Sequence, residues 1–303
     1  MPESYIKRIL NARVYDVARE TPVERAPLIS RRLDNEIWLK REDLQPIFSF
    51  KCRGAYNKMA NMSAAVLEKG VVAASAGNHA QGVALAAQKL GVTAKIVMPV
   101  TTPAIKVDAV RSRGATVVLF GDTFDEAAEK AHELVDTDGM TYLPPFDDPD
   151  VIAGQGTVAM ELARQCGKPL DYVFVPCGGC GLLAGMAAYL KYVWPETKGI
   201  GGEPEDAACA QAALIKGRRV KLKEVGLFAD GCAVQQVGKE TFRVIRESVH
   251  DIITASTDEI CAAVKDIFED TRAIAEPAGA LAVAGMKKYA LAHNLQGTSM
   301  LAV

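Results

Sequence analysis

The chain has 303 residues, 49% hydrophobic and 24% charged, with a formal net charge of -2. That length can bury a large core and makes two domains the expectation, while the near-neutral charge gives no electrostatic case for nucleic acid or an anionic membrane as partner. No stretch is long and charge-free enough to span a bilayer, and 7 cysteines are too sparse and irregular for a disulfide framework, so reduced thiols in a cytosol-like compartment are expected.

Residues 1–20 place Ile6, Ile9, Leu10, Val14 and Val17 at helical spacing and predict an amphipathic helix, ended by Thr21-Pro22. The first eight residues carry no apolar targeting core, which points to the cytoplasm, or to a plastid if a plant leader has been removed. Pro27-Leu28 opens a short helix through Leu33, and 37–40 reads as a strand. The charged turn Arg41-Glu42-Asp43 then leads into Phe48-Ser-Phe-Lys-Cys-Arg-Gly-Ala-Tyr56, where a helix starts. Helices over 54–68, 79–90, 104–113 and 124–137 alternate with strands at 71–75, 94–98, 116–120 and 141–143. The run Pro144-Pro145-Phe146-Asp147-Asp148-Pro149 breaks the period and reads as a domain crossing.

A second alternation begins with a helix over 151–165, a hydrophobic strand at 172–175, a glycine-rich turn at 176–181 and a long helix ending near Trp194-Pro195. A further buried strand falls at 199–202, although its three glycines weaken it by roughly 0.5–1 kcal/mol each. Helix 205–215, a polar hairpin-like stretch, helix 238–248, strand 251–254 and helices 257–268 and 277–292 follow, and 298–303 reads as the opening of a strand. Short Val/Ala/Ile strands alternating with longer helices signal an α/β fold with parallel pairing.

Three segments carry chemistry. Lys51 reads plainly as a solvent-facing lysine, but a lysine among apolar neighbours loses its proton more readily and becomes an amine nucleophile, as pyridoxal phosphate requires. Ser75-Ala76-Gly77-Asn78-His79-Ala80-Gln81-Gly82 follows a strand and opens a helix, where exposed N–H groups and Ser75 could hold a carboxylate. A capped helix start explains one polar residue there, not five small or polar ones. Gly178-Gly179-Cys180-Gly181 also joins a strand to a helix, and its backbone N–H groups could converge on a phosphate. It is neither G-x-G-x-x-G nor a Walker A sequence, which disfavours a dinucleotide or triphosphate. The same turn contains Cys177-x-x-Cys180, open to three readings: a redox pair, half of a metal site lacking its second half, or a buried Cys177 standing where valine could. Gly154-Gln155-Gly156-Thr157 and Pro277-Ala278-Gly279-Ala280 are weaker signals that read equally well as helix starts.

Together, Ser-Phe-Lys51-x-Arg-Gly-Ala, the 74–84 segment and the 178–181 turn strongly resemble threonine dehydratases, pyridoxal-phosphate enzymes of the tryptophan-synthase-β fold type. Glu42-Asp43 and the segments 144–150, 152–157, 228–231 and 276–281 match as well, so the resemblance covers essentially the whole chain and is nearest the biosynthetic, isoleucine-pathway form. It implies pyridoxal-phosphate fold type II, with two open twisted mostly parallel sheets flanked by helices. The large cofactor-binding domain would comprise 1–53 and 154–303, and a small mobile domain 54–153. Lys51 would bind the cofactor as a Schiff base and then take the α-proton of threonine; Phe50 would flank the ring and Asn78 bond its 3'-hydroxyl. Gly178, Gly179, Cys180 and Gly181 would grip the phosphate, and Ser75, Ala76, Gly77, Asn78 and His79 the substrate carboxylate. The products would be 2-oxobutyrate and ammonia, with serine a slower substrate and a homodimer or homotetramer the assembly. Serine racemase or serine dehydratase activity, and a scaffold without cofactor, are the alternatives.

The pattern departs from the family in four places. Cys180 replaces the third glycine of a tetraglycine turn, at a cost of about 1 kcal/mol if its φ is positive. Gly199, Gly201 and Gly202 stand in place of hydrophobic strand residues. Glu203 and Cys209 lie where some relatives place cation ligands, but without a second acid no metal is expected. The chain also stops before the family's last strand with its Ser-Gly-Ala-Asn segment, and before any regulatory domain, so a catalytic-domain piece is expected.

Overall fold

A computed structural model describes residues 2–303, with side chains from Tyr5 onward. Its strands are β1 Val23–Arg25, β2 Glu36–Lys40, β3 Val71–Ala74, β4 Ala94–Met98, β5 Thr116–Leu119, β6 Thr141–Tyr142, β7 Tyr172–Pro176, β8 Lys198–Pro204, β9 Asp251–Ala255 and β10 Ser299–Ala302. The helices are α1 Pro2–Leu10, α2 Pro27–Leu33, α3 Lys51–Ala60, α4 Ala64–Leu67, α5 Asn78–Leu90, α6 Ala104–Arg111, α7 Phe124–Asp138, α8 Pro149–Cys166, α9 Gly181–Val193, α10 Cys209–Lys216, α11 Lys239–Ser248, α12 Thr257–Thr271 and α13 Pro277–Ala292. Two compact units result: 1–10, 21–42 and 156–303 in the first, and 11–20 and 43–155 in the second. The expected α/β architecture of two open, mostly parallel sheets flanked by helices is the one observed.

The first unit is built on a six-stranded sheet in the order β1-β2-β10-β7-β8-β9, parallel throughout except for the β1–β2 pair. β10 lies inside it, with Ser299 opposite Glu36 and Met300 opposite Tyr172. Phe174, Ile200, Leu281 and Tyr289 share one core cluster, with Phe174 and Tyr289 meeting edge to face at 5.7 Å. The glycines of β8 now have a physical account. A Cβ at Gly201 would stand 2.8 Å from Leu183 Cδ2 of α9, and one at Gly202 would stand 3.2 Å from the Leu281 carbonyl oxygen of α13. Successive strand residues point to opposite faces, so this pair lets a helix approach on each side of the sheet. Under the sheet edge, Lys40 Nζ is fully buried and donates to Glu161 Oε2 at 2.7 Å, to the Thr21 carbonyl at 2.6 Å and to Gln165 Oε1 at 3.0 Å.

The second unit holds a four-stranded parallel sheet, β5-β4-β3-β6. Val71, Ala73, Ile96, Met98 and the Ala80, Val83, Ala84, Ala87 face of α5 close one core over it. Thr123 and Glu126 form a reciprocal capping box at the start of α7, as Ser256 and Glu259 do at α12 in the first unit, which fixes both helix starts. The Gly154 and Gly156 signals lie inside α8. A Cβ at Gly154 would sit 2.7 Å from the Arg53 carbonyl oxygen, a backbone atom that cannot swing aside. Gly154→Ala is therefore expected to cost about 1–3 kcal/mol in urea unfolding; a change within experimental error would mean that α3 and α8 can separate freely.

Four local expectations need correction. The helix expected over 1–20 stops at Leu10, because side chains take over the backbone beyond it: Asn57 Oδ1 accepts from Arg13 N at 2.8 Å, and Gln45 Oε1 from Arg19 N at 2.9 Å. The 54–68 helix is two helices, broken where Ser63 adopts extended backbone. β1 was not foreseen, since Val-Glu-Arg is short and polar. The hairpin-like stretch after α10 forms no strand among the described residues.

Candidate active site

Lys51 is the first residue of α3, with Phe50 as its N-cap. It is half-buried rather than solvent-facing. Its Nζ donates to the Pro145 carbonyl at 3.3 Å and lies 5.3 Å from the centre of the Phe50 ring. Gly82 brings the second motif close. A Cβ there would stand 2.9 Å from the Lys51 carbonyl oxygen, so only a glycine lets α5 cross α3 at this point. The turn before α5 is held locally, with Ser75 Oγ accepting from Gly77 N at 3.2 Å and no side chain capping the helix. Ser75, Ala76, Gly77 and Asn78 are half-exposed and His79 is buried. Lys51, Phe50 and residues 75–79 are thus brought together within the second unit.

His79 Nε2 lies 2.9 Å from the Leu143 carbonyl oxygen, which can only accept, so Nε2 carries the proton. Burial, and then the charge of Lys51, push the His79 pKa down to about 3. Unfolded, a histidine takes its proton near 6.5. Acid below that point therefore favours the unfolded chain, and His79 should remove roughly 1.4 kcal/mol of stability per pH unit on the way down toward 3. His79→Gln, compared with the parent by urea unfolding at about pH 7 and about pH 5, is expected to lose less stability over that interval. Equal losses would place the titration elsewhere.

Sequence reasoning gave no role to Ser49, inside the Ser-Phe-Lys motif. Its hydroxyl is buried and meets no hydrogen-bonding atom among the described residues. Such a group is uncommon in a folded interior and signals a polar partner still to be received. The visible signal was its place two residues before Lys51.

In the first unit the 177–181 turn joins β7 to α9. Gly178, Gly179, Cys180 and Gly181 are all buried, and their backbone N–H groups find no acceptor among the described residues. Buried, unpaired N–H groups at the start of a 13-residue helix form a seat for an anion. A Cβ at position 178 would stand 2.8 Å from Cys232 Cα, so only glycine fits between that chain and the turn. Cys180 has φ +66°, the left-handed conformation expected to cost its β-carbon about 1 kcal/mol. A phosphate fits what the turn offers.

The thiols do not all match the expectation. Cys177 and Cys180 are joined in a disulfide, while Cys52, Cys166, Cys209, Cys232 and Cys261 form none. The composition argument for reduced thiols weighs the whole chain and is blind to two cysteines whose Cα atoms a turn brings within 5.0 Å. Cys209 Sγ lies 3.9 Å from the Gly178 carbonyl oxygen, and burial followed by the charge of Glu203 pushes its thiol up to about 12. Glu203, raised to about 7 by burial, accepts from Ala210 N at 2.8 Å and Gln211 N at 2.9 Å and so closes the start of α10.

A family profile described as pyridoxal-phosphate dependent enzyme matches residues 14–303. The chain is 55% identical over 299 residues to threonine dehydratase 1 biosynthetic, chloroplastic, of Solanum lycopersicum, covering 99% of this chain and 49% of that one. It is also 55% identical over 299 residues to the biosynthetic L-threonine dehydratase of Pasteurella multocida, covering 99% of this chain and 58% of that one. It thus spans about half the length of these relatives. Among solved structures, the processed form of threonine deaminase isoform 2 from Solanum lycopersicum superposes with a TM-score of 0.97 at 50% identity, covering 99% of this chain and 83% of that one.

Proposed function

The chain belongs to the pyridoxal-phosphate dependent enzymes, and from that premise we propose that it converts L-threonine to 2-oxobutyrate and ammonia, the reaction class that feeds isoleucine biosynthesis, with serine as a slower substrate. The observation that carries this reading is the 55% identity, over 99% of the chain, to biosynthetic threonine dehydratases of a plant and a bacterium.

Pyridoxal phosphate supplies an aldehyde, a phosphate and a ring that draws electrons from the carbon beside a substrate amine. In the first unit, the N–H groups of Gly178, Gly179, Cys180 and Gly181 and the N-terminal field of α9 would hold a phosphate. In the second, Lys51 would be the covalent anchor, Phe50 would flank the ring, Asn78 would bond the ring hydroxyl, and the buried Ser49 hydroxyl would be a further polar group for it. The N–H groups of residues 75–79, with Ser75, orient the substrate carboxylate. Lys51 Nζ would act as the general base that removes the proton from the substrate α-carbon. The neutral His79 adds no second positive charge beside that amine. Assembly into a homodimer or homotetramer belongs to the same proposal and is read by sedimentation.

The test is a visible spectrum of the chain titrated with pyridoxal phosphate, followed by borohydride reduction, peptide mapping and a keto-acid assay with threonine. A visible band, an adduct on Lys51 and accumulating 2-oxobutyrate are expected. Label scattered over surface lysines would sink the cofactor assignment, and D-serine made from L-serine without keto acid would replace the lyase by a racemase.

A further inference from the structure

The disulfide Cys177–Cys180 closes a ring around Gly178 and Gly179, the residues that open the anion seat. Two successive glycines are the most freely jointed backbone a chain can have, and Cys180 holds a left-handed φ of +66°. A covalent tie across that ring restrains both. We propose that Cys177 and Cys180 are a redox-modification site, exchanging their disulfide with a dithiol, and that the oxidised turn is the form organised to hold a phosphate. The proposal rests on the assignment of the cofactor phosphate to residues 178–181.

One thiolate of the dithiol attacks a sulfur of the pair, Cys180 being 3% exposed and Cys177 fully buried. The Sγ–Sγ bond breaks and a mixed disulfide forms. The second thiol of the reagent then displaces the protein sulfur. Two electrons and two protons end on Cys177 and Cys180, and the reagent leaves as its own disulfide. Because both sulfurs are buried, attack requires the turn to open, and an anion seated on the closed turn opposes that opening. In the reduced chain Cys180 is free to leave its left-handed conformation, and the N–H groups lose their alignment.

Two measurements on the intact chain decide it. In the first, pyridoxal phosphate is titrated into the chain before and after reduction with dithiothreitol, thiols being counted by alkylation and mass spectrometry. Reduction is expected to weaken binding about five-fold, equivalent to about 1 kcal/mol. Cys180→Gly should bind alike with and without the reagent, and Cys177→Ala should bind as the reduced parent does in both conditions. In the second, inorganic phosphate at about ten times its dissociation constant should slow reduction of the pair about ten-fold. Equal affinity in the two redox states, or alkylation of both Cys177 and Cys180 after exposure to oxidised glutathione, overturns the redox site while leaving the cofactor assignment standing. Binding in neither state overturns the cofactor assignment and the redox site with it.

Discussion

Lys51→Ala is expected to lower the proposed formation of 2-oxobutyrate from threonine by at least about a thousand-fold, within the range for losing a positioned acid–base group. It should also abolish the borohydride-fixed adduct. The fold should survive, because the Lys51 ammonium is only half-buried and the Pro145 carbonyl to which it donates is a neutral acceptor. Thermal unfolding of the cofactor-free variant should therefore shift by no more than about 1 kcal/mol. Lys51→Arg separates charge from nucleophilicity. It keeps a cation near Pro145 but cannot lose its proton near neutrality, so it should be as inactive as the alanine variant. Activity within ten-fold of the parent in either variant would show that another amine does the chemistry.

The second large effect is on stability. Lys40→Met is expected to cost about 3–5 kcal/mol, because it removes the buried cation that pairs with the Glu161 carboxylate. Both side chains are fully buried, so water cannot replace the lost partner. The double variant Lys40→Met with Glu161→Leu removes both charges and should recover most of the loss, since the desolvation cost of a buried pair often matches its attraction. Urea unfolding of the two variants beside the parent reads this directly. A single variant that loses less than about 1 kcal/mol would mean that water reaches the pair.

Much of the fold was legible because its elements announce themselves locally. Val71–Ala74, Ala94–Met98 and Tyr172–Pro176 are short apolar runs between turn residues, and each is a strand within one or two residues of its expected bounds. Residues 298–303 read as a strand opening, and Ser299–Ala302 pairs on both sides. What was not legible depends on distant partners. Residues 11–20 carry a helical pattern, yet Asn57 and Gln45 claim their backbone from far along the chain. The glycines of β8 looked like a defect until Leu183 and Leu281 supplied the atoms that require them. At the candidate site, residue types and order were readable, as was the cost of a β-carbon at Cys180. The orphaned hydroxyl of Ser49 and the Cys177–Cys180 bond were not, because burial and sulfur separation exist only in three dimensions.

The interior place of β10 sets the order of folding. Glu36 pairs with Ser299, so the sheet of the first unit cannot be completed until residues this far apart in sequence have met. The second unit draws its residues from 11–20 and 43–155. Loop-closure entropy must be overcome before a long-range pairing gives any return, and such pairings slow folding. As the chain emerges from the ribosome, the second unit can therefore collapse while β2 still waits, its edge unpaired, for a strand synthesised much later. That interval is when the chain is most exposed to aggregation through a free sheet edge.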